Sequence, residues 1–140
     1  MQPVQTNKLQ NFLRILLGTF MVTAAFGHIT FQRLEFQAQV PNWVPFSKNL
    51  IVILSGIVEL VLGLGMIFWK RERIRIGIAL AVFYILVFPG NIAQYTNGIN
   101  AFGLTSNKAR LIRLFFQPVL IFGALWSTGA LKYFFYRKQV

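Results

Sequence analysis

The stock of side chains that most often hold metals or act as paired acid and base is small in this 140-residue chain: one histidine, three glutamates, no aspartate and no cysteine. Without cysteine there is no disulfide, no thiol redox pair, no iron–sulfur cluster and no thiolate zinc site. One histidine and no aspartate exclude a Ser-His-Asp triad, and an all-histidine metal site or bis-histidine haem could form only between chains. No metal is therefore expected, and no catalytic residue is assigned. What remains is a set of polar residues embedded in long apolar runs: His28, Glu59, Asn91, Arg113 and Gln117.

The runs that carry them dominate the chain. Only 12% of residues are charged while 56% are apolar and 16% aromatic, with a mean hydropathy of +0.59. A soluble domain carries about 25% charged residues. Four stretches approach the roughly 20 apolar residues that cross a bilayer. Their apolar character is continuous, where a membrane strand would alternate over about ten residues. Helix is the conformation that satisfies such a backbone in lipid. The fold expected is all-α, an integral membrane four-helix bundle forming one domain over residues 1–140, with helices over about 12–32, 50–69, 74–96 and 111–135. Pro41 and Pro45 punctuate the first connection, Lys70 to Arg73 make the short second one, and Asn97-Gly98 with Gly103 mark the third. Lys8 and Arg14 ahead of Thr23-Ala24-Ala25 have some likeness to a cleavable signal, but the run continues to Phe31 and reads as the first spanning helix.

The net charge of +11, from 14 Lys and Arg against 3 acids, is a topology signal and not a nucleic-acid signature. Nine cations fall on the side shared by the two tails and the second connection: Lys8, Arg14, Lys70, Arg71, Arg73, Arg75, Lys132, Arg137 and Lys138. Five fall on the other: Arg33, Lys48, Lys108, Arg110 and Arg113. Positive residues concentrate on the cytoplasmic side, so both termini are expected in the cytoplasm of a multi-pass protein of the inner, cytoplasmic membrane.

Depth along the expected helices separates the polar residues. His28, Asn91 and Gln117 lie roughly 6 Å from the outer ends at 1.5 Å per residue, Arg113 shallower, and Glu59 roughly 15 Å in, near the midplane. Glu35 and Glu72 fall in loops, so Glu59 is the carboxylate that costs several kcal/mol to insert and must face the bundle, paired or protonated. Ser55, Gly56 and Gly63 share its helix face and admit a close neighbour. Arg113 and His28 are the natural partners. With His28, Glu59 would form a proton relay; the alternative is a buried network that only sets helix register, and Arg113 alone reads as a side chain snorkelling to the outer interface. Pro89 and Pro118 each remove a backbone donor beside Asn91 and Gln117, which predicts kinks and a partly polar pocket opening outward.

Ala25-Phe26-Gly27-His28, Pro41-Asn42-Trp43-Val44-Pro45, Ser55-Gly56-Ile57-Val58-Glu59 with Gly63, Phe88-Pro89-Gly90-Asn91 and Arg113-Leu114-Phe115-Phe116-Gln117 follow one another in the order found in the DoxX and DoxX-like proteins. From about Leu16 to Leu131 the chain resembles that family of small four-helix membrane proteins. It departs in Gly90, where the family has alanine, and in Phe115, where the family has the proline that here follows the glutamine as Pro118; this shifts the expected kink by about one turn. Family members resemble the membrane subunit of a thiosulfate:quinone oxidoreductase, accompany thiol-handling and oxidative-stress enzymes, or, in a eukaryotic branch, assist acetylcholine receptor assembly.

The resemblance implies an accessory or membrane-anchor subunit of a quinone-linked redox system, without enzyme activity of its own, whose outward pocket takes a quinone or small anion on His28, Glu59, Asn91, Arg113 and Gln117. The implied partners are the lipid bilayer, a membrane or periplasmic redox protein and further copies of the chain; nucleic acid is not among them. An assembly or chaperone-like interaction protein is the alternative, with Gly123 on a small-residue face open to a partner helix. A small-solute carrier is the third reading.

Overall fold

The structure is a computed structural model and describes residues 4–30, 33–38, 40–100 and 103–139. Among the described residues six α-helices follow in order: α1 (Lys8–Ile29), α2 (Arg33–Ala38), α3 (Lys48–Phe68), α4 (Arg73–Thr96), α5 (Asn107–Ser127) and α6 (Ala130–Arg137), with a 3-10 turn, Lys70–Glu72, between α3 and α4. Four of them, α1, α3, α4 with its leading turn, and α5, are long and apolar enough to cross a membrane.

The starts of these helices are set by caps that an apolar-run reading does not see. Asn7 accepts from the Gln10 amide while the Gln10 side chain accepts from the Asn7 amide, a reciprocal capping box that starts α1 four residues before the expected position. Ser47 and Ser106 cap α3 and α5 by accepting from the amides of Leu50 and Ala109. The expected fourth helix over 111–135 is corrected to two: α5 stops at Ser127, Gly129 takes φ +82, and α6 restarts at Ala130. A left-handed residue cannot continue a right-handed helix, and glycine adopts that conformation without a Cβ penalty. Glu35, expected in a loop, sits on α2, and Glu72 in the 3-10 turn. α4 and α5 run through Pro89 and Pro118 without interruption. The expected end of the first helix, Phe31 and Gln32, lies outside the described residues.

α1 packs most extensively on α3 and α4 on α5, and contacts of α1 with α5 and of α3 with α4 close the ring. The core is Leu17, Met21, Met66, Ile76, Leu80, Phe83, Tyr84 and Ala124. The outward faces are apolar as well: Phe12, Phe20, Phe26, Leu54, Leu86, Phe115 and Phe122 are all exposed. The arrangement has two ends. The start of α1, the end of α3, the start of α4 and the end of α5 meet at a tail end; α2 and the longer connections lie at a loop end.

α1 and α3 approach each other backbone to backbone. A Cβ on Gly63 would stand 2.9 Å from the Gly18 carbonyl oxygen, and one on Gly18 2.8 Å from that of Gly63. Both contacts are with backbone, which cannot rotate away. Gly123, expected on an open face, lies against Leu17 of α1, where a Cβ would stand 3.6 Å from Leu17 Cδ1, an ordinary van der Waals contact. Gly63→Ala is therefore expected to destabilise the bundle by about 1–3 kcal/mol through overpacking, while Gly123→Ala changes stability by less than about 1 kcal/mol. Unfolding midpoints in mixed detergent micelles measure both, and equal midpoints for the two variants would contradict the contact.

Candidate functional site

The antiparallel register of α1 and α3 assembles the site. With Gly18 against Gly63, Gly56 faces the last turn of α1, where a Cβ on it would lie 3.0 Å from His28 Cβ. Side chains lean toward the N-terminus of their own helix, so His28 leans inward along α1 while Glu59 leans back along α3 toward Gly56. They meet, His28 Nε2 lying 3.2 Å from Glu59 Oε2. Both residues are buried, at 5% and 8% exposure. The other ring nitrogen, His28 Nδ1, is 3.3 Å from the carbonyl oxygen of Val52. A carbonyl only accepts, so Nδ1 carries hydrogen, and neutral imidazole then leaves Nε2 as an acceptor. Nε2 and Oε2 facing each other without a proton would be two acceptors in contact; one shared proton satisfies both. Glu59 Oε2 has no partner aligned for a hydrogen bond, so the contact is close but not yet directed. The ring of Phe36 on α2 lies against the imidazole.

A second cluster ties α4 to α5. Asn91 Nδ2 donates to Gln117 Oε1 at 3.1 Å, and Gln117 Nε2 donates to the Tyr84 carbonyl at 2.8 Å, in the stretch of α4 leading to Pro89. Both amides are buried. The Tyr84 hydroxyl reaches across to α1 and donates to Met21 Sδ at 3.1 Å. Arg113 stands one turn nearer the loop end on α5, half-buried and engaged by its surroundings. Of the two partners expected for Glu59, the structure supplies His28.

The five expected residues thus fall into an imidazole–carboxyl pair, an amide pair and a flanking arginine. A cavity of about 320 Å³ lies at the loop end, lined by Ala38, Pro41, Asn42, Lys48, Ala93 and Asn97, and so by the connections and helix ends instead of those five. Sequence reasoning passed over several buried polar groups. Arg110 holds the third connection by donating to Asn100 Oδ1 at 2.8 Å, the Leu104 carbonyl at 3.0 Å and Asn107 Oδ1 at 2.8 Å. Gln10, Arg14 and Gln94 are buried too. The Asn7-to-Gln10 spacing is a capping-box signal, and Arg14 follows Gln10 by one turn on the same face; nothing in the spacing marks Gln94.

A family model described as Domain of unknown function (DUF8561) matches residues 17–128. The chain belongs to this family. The DUF8561 match takes in His28, Glu59, Asn91, Arg113 and Gln117, and runs from the core-facing Leu17 to the residue before the Gly129 break. No curated protein and no solved structure matches the chain. The DUF8561 description states no activity, so a functional reading has to come from the residues themselves.

Gln117→Leu removes two hydrogen bonds and leaves Asn91 Nδ2 facing an apolar side chain, and is expected to cost about 1–3 kcal/mol of stability. Asn91→Leu removes one and should cost less. Because the pair shares one bond, the double variant is expected to fall short of the sum of the single losses by roughly 0.5–1.5 kcal/mol. A double-mutant cycle on unfolding midpoints measures this, and strict additivity would disprove the coupling.

Proposed function

We propose that this chain is a multi-pass protein of the cytoplasmic membrane, crossed by α1, α3, α4 and α5 with both termini in the cytoplasm, and that it serves a quinone-linked redox system as an accessory or anchor subunit. The observation that carries the reading is the His28–Glu59 contact of 3.2 Å, buried between two helices whose outward faces are apolar. In a bilayer an ionisable pair at this depth is by default a functional site. The nine-to-five distribution of cations supports the orientation, and the motif resemblance to DoxX-like proteins supports the redox setting.

Only part of the polar set fits a quinone. The buried Glu59 Oε2, without an aligned hydrogen-bond partner beside an imidazole, suits a group that gives a proton to a quinone oxygen or takes one from it. The Asn91 and Gln117 amides are already engaged with each other and with Tyr84, and so hold α4 against α5. When bound, a quinone supplies two-electron, two-proton redox chemistry. His28 and Glu59 hold one proton between Nε2 and Oε2, Val52 fixes the imidazole tautomer through Nδ1, and Phe36 covers the ring from the loop end.

Protein purified in mild detergent is expected to retain a quinone in stoichiometric amount, and quinone reduction is expected to shift a carboxyl infrared band that Glu59→Gln abolishes. No retained quinone, or a band unchanged by reduction and by the substitution, would sink the proposal.

A further inference from the structure

The tail end of the bundle carries a second polar cluster that the His28–Glu59 reading leaves unused. Arg14 is 4% exposed, deep in the first half of α1. Its Nη1 donates to the Met66 carbonyl and, at 3.4 Å, to that of Ile67, in the last turn of α3. A cation is favoured there, at the negative end of a helix with unpaired carbonyls. Its Nε is buried without a partner. Arg73 opens α4, a few residues along the chain from those carbonyls, and its Nη2 donates to the Val4 carbonyl. Its Nε is buried and unpartnered as well. Four residues, 69–72, separate the end of α3 that holds Arg14 from Arg73 at the start of α4, so both guanidiniums belong to the same helix junction.

No carboxylate side chain is placed to neutralise them. The chain has three: Glu35 is on α2 at the other end, Glu59 faces His28, and Glu72 is exposed and pairs with Arg75 at 2.9 Å. The other charged residues at this end are exposed cations as well: Lys8, Lys70, Arg71 and Lys132, the last donating to the Gln5 carbonyl at 3.5 Å. Gln10 Nε2 donates to the Trp126 carbonyl at 2.8 Å, which brings the end of α5 to the same place, and the neighbouring Ser127 hydroxyl is buried without a partner. Like charges brought together with donors unmet are unfavourable unless an anion completes them. Guanidinium forks match the oxygen geometry of phosphate, each such hydrogen bond being roughly twice as strong as a neutral one.

We propose that Arg14 and Arg73 form a binding site for a phosphate oxyanion at the tail end of the bundle, the chemistry shared by a phospholipid headgroup and free phosphate. The site is independent of any quinone. On the membrane reading it lies where cytoplasmic-leaflet headgroups sit, and a headgroup would tie α1, the end of α3 and the start of α4 together.

Two measurements on the full chain in non-ionic detergent decide it. Native mass spectrometry compares retention of phosphatidylglycerol with that of diacylglycerol of the same acyl chains, and thermal unfolding is followed with millimolar inorganic phosphate against chloride. Preferential retention of phosphatidylglycerol assigns the site to a headgroup; stabilisation by phosphate without lipid retention assigns it to a soluble ligand; both uphold it. Arg73→Gln is expected to weaken binding about tenfold, the loss of one charge-assisted hydrogen bond, while Lys70→Gln, removing a screened surface charge, changes it by less than about twofold. Arg73→Gln carries the decision because Arg14 also caps α3, and circular dichroism checks that each variant is folded. Absence of both effects, or equal weakening by the two substitutions, would overturn the proposal.

Discussion

The backbone contact between α1 and α3 is the constraint on which the rest depends. Gly18 and Gly63 let two helices approach until each carbonyl lies within 3 Å of where a Cβ on the other would be. That approach sets an antiparallel register for the whole pair. It brings Gly56 to the last turn of α1, places His28 beside Val52 and Glu59, and at the opposite end delivers Arg14 to the carbonyls of Met66 and Ile67. A side chain at either glycine would push the helices apart, and both polar contacts would lengthen together. The site and the tail-end cluster are thus two outcomes of one packing event about 20 Å of helix apart.

A shortage of acids shapes what those contacts can be. With fourteen cations and three carboxylates, most buried charge cannot find an opposite charge. The chain meets part of the arginines' hydrogen bonding with backbone and amide oxygens instead: Arg14 on the end of α3, Arg73 on Val4, Arg110 on Leu104 and two asparagines, while the Nε of each stays unpartnered. Carbonyls at helix ends and in connections are the acceptors helical geometry leaves over, so the arginines staple ends and loops and leave the helix centres apolar. The buried interior carboxylate, Glu59, is matched to the single histidine. A pair with one proton carries no net charge in either of its arrangements, which is the form of ionisable chemistry that an apolar interior tolerates best.

The apolar exterior and the polar contacts within divide the work differently from a soluble bundle. Large aromatic and aliphatic side chains cover the outside as well as filling the core, while glycines and amides lie at the polar and backbone contacts between the helices. On the membrane reading, hydrophobic burial adds little between the helices, and close packing and interhelical hydrogen bonds specify the arrangement. Asn91 with Gln117 and Tyr84 does this for α4 and α5, as the glycines do for α1 and α3.

The amino-acid sequence by itself determined the all-helical class, the four long apolar helices and the singling out of Glu59, because each follows from composition and run length along one dimension. It also placed Gly56 and Gly63 on the face of Glu59 where a neighbouring helix packs. Helix starts at Lys8 and Lys48 escaped an apolar reading because Asn7 and Ser47 act through side-chain hydrogen bonds that hydropathy does not register. The break at Gly129 escaped it because the residues on both sides remain apolar. Only the tertiary structure decided which helices are neighbours, and so which of two candidate partners meets Glu59, how Asn91 and Gln117 satisfy each other, and that Arg14 is buried against the last turn of α3. Each of these depends on interhelical register and on the direction in which side chains lean, quantities set by contacts between residues dozens of positions apart that no local pattern encodes.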